Sequence, residues 1–153
     1  MITLPQIQAI LNEMKTSITN INTAELVIDD TQLVKFLEKH KTADNNILLG
    51  IIPEYPIEGD QDRLKWNNQM MFMVLQKVSD RDTNHDSFLT IMEQTRQCAE
   101  QFIQILLAEK SGDNGDFCGT ANELTENSIH VFPIWNKSAC HGWGINVNLL
   151  SNV

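Results

Sequence analysis

Apolar positions follow two rhythms along this chain. Near the start, Ile7, Ile10, Leu11 and Met14 recur at three- and four-residue spacing, which places them on one face of a helix. Thr3 stands ahead of that run as an N-cap, Pro5 lies within the first turn and Gln6 completes a capping box, so a helix from Thr3 to about 15–17 is predicted. Residues 17–23, rich in Asn, Thr and Ser, read as a connection. Leu26, Val27 and Ile28 form a short β-leaning run. Asp29, Asp30 and Thr31 can cap a short helix over 31–41 that turns Leu33, Val34, Phe36 and Leu37 inward, and a strand over 24–37 competes with it. Residues 47–52 are an aliphatic run closed by Pro53, which suits a strand, and Pro53, Pro56 and Gly59 make 53–62 a loop.

Residues 66–78 fit either rhythm. Alternation sends Met70, Phe72, Val74 and Val78 to one side and Met71, Met73 and Leu75 to the other, so a strand here is buried on much of both faces. The unbroken apolar run 71–74 and the lack of a cap favour the strand. From about Asp86 to Lys110 the pattern is helical: Phe88, Met92, Thr95, Ala99, Phe102 and Leu106 form a stripe that Leu89, Cys98 and Ile105 widen. Asn84, Asp86 and Ser87 offer caps at its start, and Gly112 suits its end. The tail reads as a β-hairpin. A strand over 128–135 carries Pro133 and is therefore an edge or bulged strand, 136–142 is a turn, and Trp143, Ile145, Val147 and Leu149 alternate with Gly144, Asn146 and Asn148.

These elements predict one α+β domain over residues 1–153: a four-stranded, mostly antiparallel sheet with the 86–110 helix packed across one face and an N-terminal helix. Twenty acidic against 11 basic residues give a net charge of −9, which argues against specific nucleic-acid binding, since neutralising phosphates needs clustered cations. No apolar run is long enough to span a membrane, and the first residues lack the basic and apolar regions of a secretory signal. The three cysteines, at 98, 118 and 140, are widely spaced and odd in number, which suggests free thiols in a reducing compartment.

The sharpest motif is the twelve-residue stretch 82–93, which resembles the calcium loop of an EF-hand. Asp82, Asn84 and Asp86, the carbonyl of Phe88 and the Glu93 carboxylate would supply hard oxygen ligands. Ser87 stands where such a loop needs Gly, and Arg81 precedes the first ligand, so an acidic, capped helix N-terminus explains the same residues with fewer assumptions. A small single-loop calcium-binding module is thus the alternative function. Cys118, His130, Cys140 and His141 lack the paired spacing of a zinc site, no cysteine or serine sits in a nucleophile motif, and the loop carboxylates at 54, 58, 60 and 62 read as a solvated face. No catalytic residue, metal or cofactor is assigned, and an enzyme is not expected. Trp135 and Trp143 flank the hairpin and read as core rather than as a stacking platform.

The second half, over roughly 66–150, has a recognisable order. A hydrophobic strand, an acidic break at 80–86 and a long helix with Phe88, Met92, Thr95, Ala99, Phe102 and Leu106 lead to a closing hairpin. That hairpin carries Pro133-Ile134-Trp135-Asn136 and Gly142-Trp143. This order resembles the tail terminator and neck-completion proteins of tailed bacteriophages and prophages. The resemblance implies a non-enzymatic structural protein that forms ring homo-oligomers, such as hexamers, and docks to phage tail or neck proteins. It implies a place in the virion or the bacterial host cytoplasm, with no membrane partner.

Overall fold

The structure, a computed structural model, describes residues 1–28, 30–60, 63–79, 84–111 and 124–152. Its elements run α1 (Leu4–Ser17), β1 (Thr23–Val27), α2 (Asp30–Lys39), β2 (Ile47–Glu54), β3 (Ile57–Glu58), β4 (Lys65–Lys77), α3 (His85–Ser111), β5 (His130–Lys137) and β6 (Cys140–Asn152). The N-terminal helix starts as its sequence dictates. The Thr3 hydroxyl accepts from the Gln6 amide, the Gln6 side chain accepts from the Thr3 amide at 2.8 Å, and Ile7, Ile10, Leu11 and Met14 are all buried.

The expected four-stranded, mostly antiparallel sheet is corrected to a six-stranded mixed sheet. Five strands run in the order β1-β2-β4-β6-β5, and short β3 also pairs with β4. The parallel pair is β1–β2, with Val27 opposite Ile51, and the other pairings are antiparallel. The physical reason is the connection. Residues 30–39 are helical, so the strand reading of 24–37 gives way, and β1-α2-β2 becomes a crossover that returns the chain in the same direction. Residues 57–58, read as loop, form the small strand β3.

The long helix packs across one face of the sheet, as expected, and shares that face with α1. On that face Leu48, Phe72, Val74, Ile145 and Val147 meet Leu11 and Met14 of α1 and Phe102 and Leu106 of α3. The Phe72 and Phe102 rings lie 4.7 Å apart, and each such fully buried side chain contributes about 1.5–3 kcal/mol. On the opposite face Leu33 and Leu37 of α2 cover Ile47, Leu49, Met73 and Leu75. Helices on both sides explain why β4 is apolar on both: Phe72 and Val74 serve one core, Met73 and Leu75 the other. Lys77 holds α2 in place by donating from Nζ to the Leu37 carbonyl at 2.6 Å, and Lys137 pairs with Asp30 across the hairpin end.

Candidate interaction surface

Among the described residues no helix is long and apolar enough to cross a membrane. The calcium-loop residues are placed by the start of α3. Asn84 caps the helix, its Oδ1 accepting from the Ser87 amide at 2.8 Å. Asp86 lies in the first turn, Phe88 is a helical residue packed on the hairpin, and Glu93 sits two turns along. The Glu93 carboxylate accepts from Arg96 at 2.9 Å and from Gln97 at 3.1 Å, and these bonds hold it down to about 2. The helix therefore does not draw Asn84, Asp86, Phe88 and Glu93 around one point. Asp82 lies outside the described residues, as do Asp80, Arg81, Thr83, the Gly112 cap and Cys118. Among the described residues no three His, Cys, Asp or Glu side chains could hold a metal ion. Cys98 and Cys140 are buried free thiols, and burial pushes Cys140 up to about 11.

What the fold does build is an apolar flank where α3 overhangs edge strand β5. Trp143, on β6, donates from Nε1 to the Met92 carbonyl at 2.9 Å, which fixes its indole under the helix. Alongside it, Ala99 and Ile103 of α3 and Val131 of β5 line a groove of about 510 Å³. Arg96 and Glu100 form its polar margin and are paired with each other at 3.1 Å. Val131 is 38 % exposed and Trp135 is 66 % exposed.

Trp135 belongs to an aromatic cluster at the hairpin end of this flank. Its ring lies 4.5 Å from Phe88 in an edge-on arrangement and 4.8 Å from His141. His141 is buried, and its Nδ1 accepts the Asn136 amide at 3.0 Å, so the neutral ring carries its proton on Nε2. Burial lowers the His141 pKa and keeps it in that form.

The reading of Trp135 as core is corrected. Pro133 confines β5 to the sheet's rim, and at the rim the helix above reaches only partway, so one face of β5 is left half open. Leu89, expected to widen the buried stripe, is 51 % exposed, and Ile91 is buried instead. The edge-strand signature of Pro133 was the clue that Trp135 would stay bare. The opposite rim is different in kind. There β1 has no strand beyond it among the described residues and presents Glu25 at its centre. The chain matches no protein-family model and no curated protein sequence.

Proposed function

We propose that this is a non-enzymatic structural protein of the tailed-phage type, tail terminator or neck-like, that acts by joining copies of itself and docking to tail components. The observation that carries this reading is the apolar flank of β5 and α3: Val131 lines a groove walled by Ile103 and Trp143, and Trp135, four residues further along β5 beside Phe88, is 66 % exposed. Large exposed aromatic side chains over a partly formed groove are typical anchors of protein interfaces, and burying Trp135 alone is worth roughly 2–3 kcal/mol.

The geometry of the sheet bears on the kind of assembly. The outer strands of the five-strand path, β5 and β1, differ in sequence and in surroundings. A contact made by one rim with any other surface is heterologous, and heterologous contacts close into rings when the rotation permits. Pro133 removes an amide donor from the middle of β5, so that rim engages through side chains rather than by strand addition. Mass measurement across concentration tests the reading: a discrete multiple of the 17.4 kDa protomer that Trp135→Glu reduces to monomer supports it, and wild-type protein that stays monomeric with and without tail proteins refutes it.

A further inference from the structure

Eight large apolar side chains stand exposed among the described residues. Leu89, Val131 and Trp135 border the β5–α3 flank. Four of the remaining five, Met1, Leu4, Ile57 and Leu64, gather elsewhere, and each is between 43 % and 55 % exposed. Ile2 brings them together. Its amide donates to Asn68, two residues along β4 from Trp66, and its carbonyl accepts from Tyr55, two residues before Ile57. Ile57 is the register partner of Trp66 across β3–β4, and Leu64 precedes that Trp by two residues. The result is an aliphatic patch beside half-buried Tyr55 and Trp66. Scattered exposed apolar side chains are ordinary, whereas a cluster of them marks an interaction site.

The strand register places this patch relative to the flank. Trp66 pairs with Ser151 and Val131 with Ile145, so the two patches lie about 20 Å apart along the strands. β4 and β6 stand between β3 and β5, which adds about 14 Å across the sheet and makes the separation about 25 Å. Both patches lie on the face that carries α1 and α3, since Trp66 is in phase with Phe72 and Val131 is opposite Ile145. One copy can therefore engage two neighbours at once. The margins also differ in charge. Beside the flank, Glu93 and Glu100 outnumber Arg96, whereas beside the Ile2 patch Arg63 and Lys65 balance Glu58 and Asp60. Flank against flank would double the acidic excess in one seam, and flank against the Ile2 patch would not.

The reading of the flank as a self-association surface leaves its counterpart on the next copy unassigned. That counterpart has to be exposed, apolar and free of a matching acidic excess. Among the described residues the Ile2 patch is the one cluster of exposed large apolar side chains outside the flank, since Ile28 is single. We propose that it is the counterpart: the β5–α3 flank of each copy docks on the Leu4, Ile57 and Leu64 patch of the next. The inference rests on self-association through the flank and supplies the other half of that contact. Two different patches on one chain make the contact head-to-tail, and such a contact passes from copy to copy until rotation closes it into a ring.

Complementing variants give the test. Trp135→Glu blocks the flank, and Ile57→Glu blocks the patch, with Leu4→Glu as a second version at the exposed start of α1. Circular dichroism establishes that each is folded. Sedimentation equilibrium should find every variant alone at the 17.4 kDa protomer mass. Trp135→Glu is then mixed with Ile57→Glu, each at about 0.5 mM, so that a contact with a Kd of about 0.1 mM is mostly formed. The mixture should give a pair of twice the protomer mass and nothing larger, because one sound flank meets one sound patch and both outer surfaces of the pair are blocked. Ile57→Glu and Leu4→Glu proteins that assemble like wild type overturn the proposal while leaving self-association through the flank standing, and a mixture that stays monomeric overturns it as well. Wild type that is monomeric alone and with tail proteins removes the underlying reading and this proposal together.

Discussion

The Asn68 Oδ1 accepts the main-chain amide of Ile2 at 2.7 Å, a contact across 66 residues of sequence. The same side chain donates to the Leu149 carbonyl at 2.5 Å and the Ser151 hydroxyl at 3.1 Å, so one buried amide ties the N-terminus, β4 and β6 together. Tyr55 adds a hydroxyl bond to the Ile2 carbonyl at 3.2 Å. Asn68→Ala strands the Ile2 amide in the core and should cost about 2–3 kcal/mol, or roughly 4–12 °C in Tm. Urea unfolding checks this, and a loss under 0.5 kcal/mol, on the order of a surface substitution, would show that the knot is dispensable.

Two glycines of β6 should respond differently to alanine. A Cβ on Gly142 would lie 2.0 Å from the Val74 carbonyl oxygen on β4, and φ there is +157°. Backbone cannot retreat without breaking the β4–β6 ladder, so Gly142→Ala should cost about 3 kcal/mol or more. A Cβ on Gly144 would strike the Phe132 ring at 2.2 Å, and Phe132 is only half-buried, so the ring can swing away. Gly144→Ala should cost about 1–2 kcal/mol. Chemical denaturation of both variants tests the order.

Acid should destabilise the protein before its carboxylates titrate. Burial lowers the pKa of both His40 and His141 in the folded state below the ordinary 6.5. The unfolded chain therefore binds protons first as pH falls, and the stability present above 6.5 is lost progressively below it. Unfolding followed between pH 7.5 and about 5 should show this slope, and His141→Gln should flatten it. An unchanged slope in both His141→Gln and His40→Gln would contradict the assignment.

Cys98 and Cys140 should resist alkylation in the folded protein. Both are buried and burial raises both thiols, Cys140 to about 11. Mass spectrometry after iodoacetamide treatment at neutral pH should find both unmodified until denaturant is added, and rapid labelling of either would contradict their packing.

Local signals in this sequence were strong and long-range ones were silent. The Thr3–Gln6 box, the Ile7–Met14 stripe, the two hairpin strands and the span of α3 could be read because each is set by neighbours within a few residues. The β4 run over 65–77 is legible as a strand buried on both sides, a pattern that calls for helices on both faces. The parallel β1–β2 pair was implicit in a strand, a short helix and a second strand over 24–52, an order that dictates a crossover. The bare Trp135 followed from Pro133 once β5 is placed on the rim. The apolar patch around Ile2 had no local signature. Its residues come from positions 1–4, 55–57 and 64–66, and only the tertiary fold brings them together.

Charge sets how the proposed assembly should respond to salt. Each copy carries −9, so copies repel at low ionic strength while the β5 flank is mostly apolar. Raising salt from about 0.05 to 0.5 M screens the repulsion and leaves the apolar contact intact. Association should strengthen over that range in analytical ultracentrifugation, and weakening would point to an interface held by ion pairs.

In the proposed assembly the β5–α3 flank joins copies of this chain. Light scattering coupled to size-exclusion chromatography, run over a concentration series with wild type, Trp135→Glu and Val131→Glu, is the decisive measurement. Wild type should form a discrete oligomer of the 17.4 kDa protomer and both variants a folded monomer. A wild type that is monomeric throughout, alone and with tail proteins, or an oligomer indifferent to both substitutions, would contradict it.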